Sequence, residues 1–125
     1  MGNIRTFREL IVWQKAMEAT MEVFRLTRVF PKTETFSLTD QILRSSRSIA
    51  ANISEAWRKR RYPAAWVNQL NVAEGEAAET QTHLDVALRC DYISMEDHAK
   101  LDASYEEILS MLVNMINNPE QWAIR

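Results

Sequence analysis

Arg58-Lys59-Arg60-Arg61 sets four cations in succession, flanked by Trp57, Tyr62 and Trp66. Cations attract phosphates and aromatic faces stack on unpaired bases, so this cluster is the chain's candidate for nucleic-acid binding. At roughly 100° per helical residue, Arg44, Arg47 and Arg58 fall within about 60° of one another and extend the cluster into a stripe. Glu55 shares that stripe and weakens it. The role expected of these six cations is phosphate neutralisation, not base reading. A plainer account competes with it. Cations at a helix C-terminus complement the helix dipole, and both tryptophans also suit a core.

The remaining reactive side chains form no recognisable catalytic site. His83 and His98 are the only histidines. Glu76, Glu79 and His83 lie on neighbouring turns of one helix. Di-iron bundles, however, use Glu-x-x-His motifs on paired helices, whereas Glu79 and His83 are four apart with no partner pair. No metal and no cofactor are therefore expected. There is no Gly-rich phosphate loop. Helical-bundle ribonucleases that place an Arg several residues before a His are excluded, because Arg89 is the nearest before His98 and none lies close before His83. Cys90, the lone cysteine, reads as a helix-end packing residue. The chain is expected to bind and assemble rather than catalyse.

Four helices must position these residues, over about 7–30, 38–59, 63–90 and 95–117. Only 2 Gly and 3 Pro occur in 125 residues, a scarcity that suits long helices in a single domain. The first helix carries two apolar stripes. One is Leu10, Trp13, Met17, Met21 and Phe24; the other is Val12, Ala16, Ala19, Val23, Leu26 and Phe30. A helix apolar on more than one side needs more than one neighbour. Thr6 with Glu9 predicts a capping box at its start, and Pro31 ends it. Ser37 with Asp40 and Ser94 with Asp97 predict caps for the second and fourth helices.

The second helix alternates Leu38, Ile42, Ile49, Ile53 and Trp57 with small residues, which predicts close packing. Pro63 suits the first position of the third helix. There, Trp66, Leu70, Ala73, Ala77, Thr80, Leu84 and Ala87 step by four and three, the seam of left-handed helix packing. Gly75 interrupts that helix, and close helix contact is its expected reason. Leu101, Tyr105, Ile108, Leu112 and Met115 repeat the spacing in the fourth. Short loops between long helices predict an all-α, antiparallel up-down-up-down four-helix bundle.

Charge is divided along the chain. Residues 1–61 hold 12 Lys and Arg against 6 Asp and Glu, a net +6; residues 62–125 hold 3 against 11, a net −8. Such asymmetry implies a polyanion-binding side, or complementary faces that meet within or between subunits. An unpaired cysteine, no signal-peptide pattern and no apolar run of membrane-spanning length predict a cytoplasmic protein. Met1-Gly2-Asn3-Ile4-Arg5-Thr6 fits a myristoylation pattern, but the capping box is the preferred reading of that stretch.

Several segments together resemble a known family, the bacterial four-helix-bundle proteins encoded in 23S rRNA intervening sequences. They are Phe7-Arg8-Glu9-Leu10-Ile11-Val12-Trp13-Gln14-Lys15-Ala16, then Phe30-Pro31-Lys32 with Glu34, and Leu38-Thr39-Asp40-Gln41-Ile42 with Arg44. Ser48-Ile49-Ala50-Ala51-Asn52-Ile53-Ser54-Glu55 follows, then Ala73, Gly75, Glu79 and Thr80, and finally Asp91-Tyr92-Ile93. Ser37 and Ala56 stand where the family usually has Gly. The resemblance implies a cytosolic, all-α homo-oligomer that closes into rings, five subunits being the expected number. A fold-level relative, the accessory protein of diversity-generating retroelements, binds nucleic acid, and by analogy this chain's hinge would bind structured RNA. The alternative is an assembly or adaptor protein that binds a protein partner, with no nucleic-acid role.

Overall fold

Pro31, the hinge before Pro63 and the Asp91-Tyr92-Ile93 stretch break the apolar periodicity and leave four rods. In a computed structural model, which describes residues 4–124, the rods are α1 (Ile11–Thr27), α2 (Leu38–Arg58), α3 (Pro63–Arg89) and α4 (Met95–Asn117). Short 3₁₀ turns cover Phe7–Glu9, Lys32–Glu34 and Pro119–Gln121, and no strand occurs among the described residues. Each helix packs beside its successor and α4 closes against α1, giving the antiparallel up-down-up-down four-helix bundle. Met1–Asn3, which begin the myristoylation-like pattern, lie outside the described residues. Among the described residues no helix is long and apolar enough to cross a membrane.

The four-three seams of α3 and α4 are buried at every position named above. Side chains three and four apart share one helix face, so each seam points its whole length inward. On α2 the small residues Ser45, Ser46, Ala50 and Ala56 are buried beside Ile42, Ile49, Ile53 and Trp57. Their size lets α3 come close, and α2–α3 is the most extensive interface in the bundle. Two contacts join buried hydroxyls across helices, whereas the Tyr105 hydroxyl, also buried, has no partner. Thr80 Oγ1 lies 2.8 Å from Ser45 Oγ, and Thr20 Oγ1 lies 3.0 Å from the Ser46 carbonyl. A buried hydroxyl left without a partner would cost about 1–3 kcal/mol, so these pairs fix the helix register.

α1 is held least. Its seam with α4 opens into a groove of about 290 Å³ lined by Lys15, Glu18, Ala19, Leu101, Ser104 and Glu107, bridged by Lys15 to Glu107 at 2.7 Å. Of its two apolar stripes, the one holding Val12, Ala16, Ala19 and Val23 is buried. On the other, Met17, Met21 and Phe24 remain exposed.

Several local expectations are corrected. The Thr6–Glu9 capping box forms, but it caps the Phe7–Glu9 turn, and α1 begins only at Ile11. Leu10 is extended between them (φ −68°, ψ 126°), which carries its side chain off the exposed stripe and into the core. Burying a leucine stabilises by about 1.5–3 kcal/mol, more than one residue of helix contributes. Ser37 does not cap α2 with its side chain. Glu34 replaces it, accepting from the Leu38 amide at 3.3 Å and from the Ser37 hydroxyl. A carboxylate suits this position because it faces the positive end of the helix dipole. The Ser94 cap forms as expected, accepting from the Asp97 amide at 3.0 Å.

Gly75 touches no neighbouring helix, since a Cβ built there meets nothing within 4 Å. Cys90 sits at the end of α3 as expected but is exposed rather than packed. There the chain turns through Asp91, whose φ of 60° is left-handed. The Tyr92 amide reaches the Ala87 carbonyl and the Asp91 amide reaches that of Leu88, the paired bonds of a Schellman ending. Asp tolerates that geometry better than most residues. The turn also delivers the Tyr92 hydroxyl to Glu34, which accepts it at 2.8 Å.

Candidate nucleic-acid interface

The α2–α3 connection is four residues, Lys59–Tyr62, and it is tied down bond by bond. The Lys59 amide donates to Ala56, the Tyr62 amide to Lys59 and the Trp66 amide to Tyr62, at 2.8, 3.0 and 3.0 Å. The hinge is therefore a tight, hydrogen-bonded corner. It holds Arg58, Arg60, Arg61, Tyr62, Trp57 and Ile124 around one half-open hollow of about 330 Å³.

The four cations differ in what they already contact. Lys59 Nζ donates to Gln69 Oε1 at 2.9 Å and stands 3.6 Å from Glu55, so much of its charge is offset. Arg60 places its Cζ over the Trp57 ring, 3.4 Å from its centre, and its Nε donates to the Trp57 carbonyl at 2.8 Å. Burial, and next the neighbouring Arg58 charge, hold the Arg60 pKa below the usual arginine value. Among the described residues no carboxylate lies within ion-pairing distance of Arg58, Arg60 or Arg61. Three like charges beside one hollow without a counter-charge favour an anion there.

Arg44 and Arg47 do not join this hollow. They share a face with Arg58 but precede it by 14 and 11 residues, about 21 and 16 Å along the rod. Arg44 stands 3.7 Å from Asp40 and lines a separate depression with Phe36, Glu79 and His83. Arg47 is exposed at mid-helix. The aromatic flanks divide as well. Trp57 and Trp66 are core residues, whereas Tyr62 is 65% exposed.

The profile of the 23S rRNA-intervening sequence proteins matches residues 8–114. The chain belongs to that family. A solved structure from the S23 ribosomal protein family of Bacteroides thetaiotaomicron, described as a protein with unknown function, is 33% identical to it. That likeness covers 85% of this chain and 98% of the other, with a TM-score of 0.77. No curated protein matches the chain significantly. Ala56 is wholly buried on α2, and Ser37 donates its hydroxyl to Glu34.

Two groupings were not legible in the sequence. In an up-down bundle the start of α1 and the α2–α3 corner share one end, so Arg5 and Arg8 lie at the same end as the hinge cations, with Arg8 over the Phe7 ring at 4.5 Å. The family topology was the signal that would have paired them. The second grouping replaces the Glu76, Glu79 and His83 set. Among the described residues, the His and acid side chains whose ligand atoms gather within 4.8 Å are Asp85, His98 and Asp102. His98 Nε2 lies 2.7 Å from Asp85 Oδ1, and Gln81 donates to Asp102 at 3.1 Å and to Glu106 at 2.7 Å. These contacts form a polar stitch between α3 and α4, half-buried and partly solvated. Helical spacing alone could not join residues on two different rods.

Proposed function

We propose that the protein is a non-enzymatic, self-assembling bundle that binds nucleic acid by its phosphates at the hinge end. The observation that carries this reading is the set of Arg58, Arg60 and Arg61 around one hollow, with no carboxylate partner among the described residues. Arg5 and Arg8 add positive charge at the same end. Phosphate contacts of this kind position a strand without reading its bases. Structured RNA is the proposed ligand, on the analogy with the basic ring of the retroelement accessory proteins.

Self-assembly is supported by the exposed Met17, Met21 and Phe24 on α1. Apolar side chains grouped on one helix face mark an interaction surface. A closed ring, with five copies as the family resemblance implies, would repeat the basic end around one axis and add the fields of its members. The same stripe supports the second reading, an adaptor that binds a protein partner and no nucleic acid.

Fluorescence anisotropy with a mixed RNA pool, titrated across salt concentrations, tests the first reading. Each lost phosphate contact removes roughly 0.7–0.9 from the slope of log affinity against log salt. Arg58→Gln with Arg61→Gln should therefore lower affinity and flatten the slope by about 1.4–1.8. Unchanged binding rejects the site. Light scattering of the same samples, with and without RNA, reads the subunit number and separates the adaptor reading.

A further inference from the structure

We infer that the hinge hollow receives an unpaired nucleotide, its phosphate between Arg58 and Arg61 and its base stacked on the Tyr62 ring. This rests on the phosphate-binding reading above and narrows its ligand to single-stranded segments, such as the loops and bulges of a folded RNA.

Three observations converge on it. First, the corner sorts its aromatic residues. Trp57 and Trp66 are 4% and 1% exposed and offer no face to a ligand, while Tyr62 keeps 65% of its surface free. Both backbone groups of Tyr62 are bonded, its amide to Lys59 and its carbonyl to Trp66, and Pro63 follows it. The ring thus projects from fixed backbone and needs little ordering when a base arrives.

Second, the cations are sorted as well. Arg60 is already fixed by Trp57, on its ring and at its carbonyl. The side chains of Arg58 and Arg61 make no hydrogen bond or ion pair among the described residues, so their donors are available to a phosphate. A planar guanidinium matches two phosphate oxygens at once.

Third, cations and ring line the same hollow. A regular duplex keeps its bases stacked on one another and shows this surface only its backbone. An unpaired nucleotide presents a phosphate and a free ring face together.

Anisotropy with three RNA probes of equal length tests this: a single-stranded oligoadenylate, an abasic strand of equal phosphate number, and a duplex. The full-length wild-type protein is compared with Tyr62→Phe, Tyr62→Ala and the Arg58→Gln, Arg61→Gln double variant. Circular dichroism checks that each is folded. The wild type should prefer the oligoadenylate over the abasic strand by roughly 5- to 100-fold, the span of one stacked base. Tyr62→Phe keeps the ring and the preference. Tyr62→Ala erases the preference but retains abasic and duplex binding. The double arginine variant weakens all three probes. If wild type binds the probes alike, or Tyr62→Ala keeps the preference, the nucleotide site is overturned while phosphate binding stands. If no probe binds, both fall together.

Discussion

Replacing Gly75 by alanine should stabilise the folded chain. Gly75 lies near the middle of α3, is exposed, and has no positive φ that only glycine adopts. A methyl added there meets no heavy atom within 4 Å, so the change brings no clash. What remains is the backbone entropy that glycine loses on entering a helix, roughly 0.5–1 kcal/mol against alanine. For a chain of this size, that gain corresponds to a rise of about 2–4 °C in Tm. Differential scanning calorimetry of both proteins at equal concentration measures it, with urea unfolding as a second readout. A lower Tm for Gly75→Ala would refute the reasoning, because only a body packed on that face could turn a helix-favouring methyl into a cost. Light scattering of the variant would then show whether that body is another copy.

Glu34 gives a pH-dependent outcome. Its bonds from Ser37, then Tyr92, then the Leu38 amide hold its pKa below the usual 4.5, so its contribution is present above that value and lost as pH falls through the folded one. Glu34→Gln should lose stability at neutral pH and flatten the acid limb of the Tm profile; parallel wild-type and variant profiles would remove Glu34 from this role. Across the α3–α4 stitch, a double-mutant cycle of His98→Ala with Asp85→Asn should yield a coupling of about 0.5–1 kcal/mol in urea unfolding. A coupling of zero would mean that the 2.7 Å contact does not persist. Met21→Glu, on the exposed stripe, should change the stability of an isolated subunit by less than about 0.5 kcal/mol yet disperse the assembly in light scattering. An undisturbed assembly would move the interface elsewhere.

The helical frame was readable because its signal is local. Trp66 through Ala87 and Leu101 through Met115 repeat within single rods, and burial follows those repeats residue by residue. The errors lie where one rod meets something else. Leu10 belongs to an exposed stripe by spacing, and only the break before α1 carries it inside. Ser37 has the right chemistry for a cap, but Glu34 arrives from a neighbouring turn with charge as well as oxygen. At the hinge, the cluster of cations was legible, while its division into engaged and free members was not. That division depends on Gln69, Glu55 and the Trp57 ring, whose positions are set by α2–α3 packing.

The uneven grip on α1 has a kinetic meaning. Because α2 and α3 share the broadest contact and α1 faces an open seam, thermal openings should begin by lifting α1 away from an α2–α3 hairpin that stays shut. Amide protons along α1 would then exchange with solvent ahead of those along α3. The corner, lodged within that hairpin, would keep its shape through such excursions, so Arg58 and Arg61 would hold their places while Arg5 and Arg8 travelled with α1.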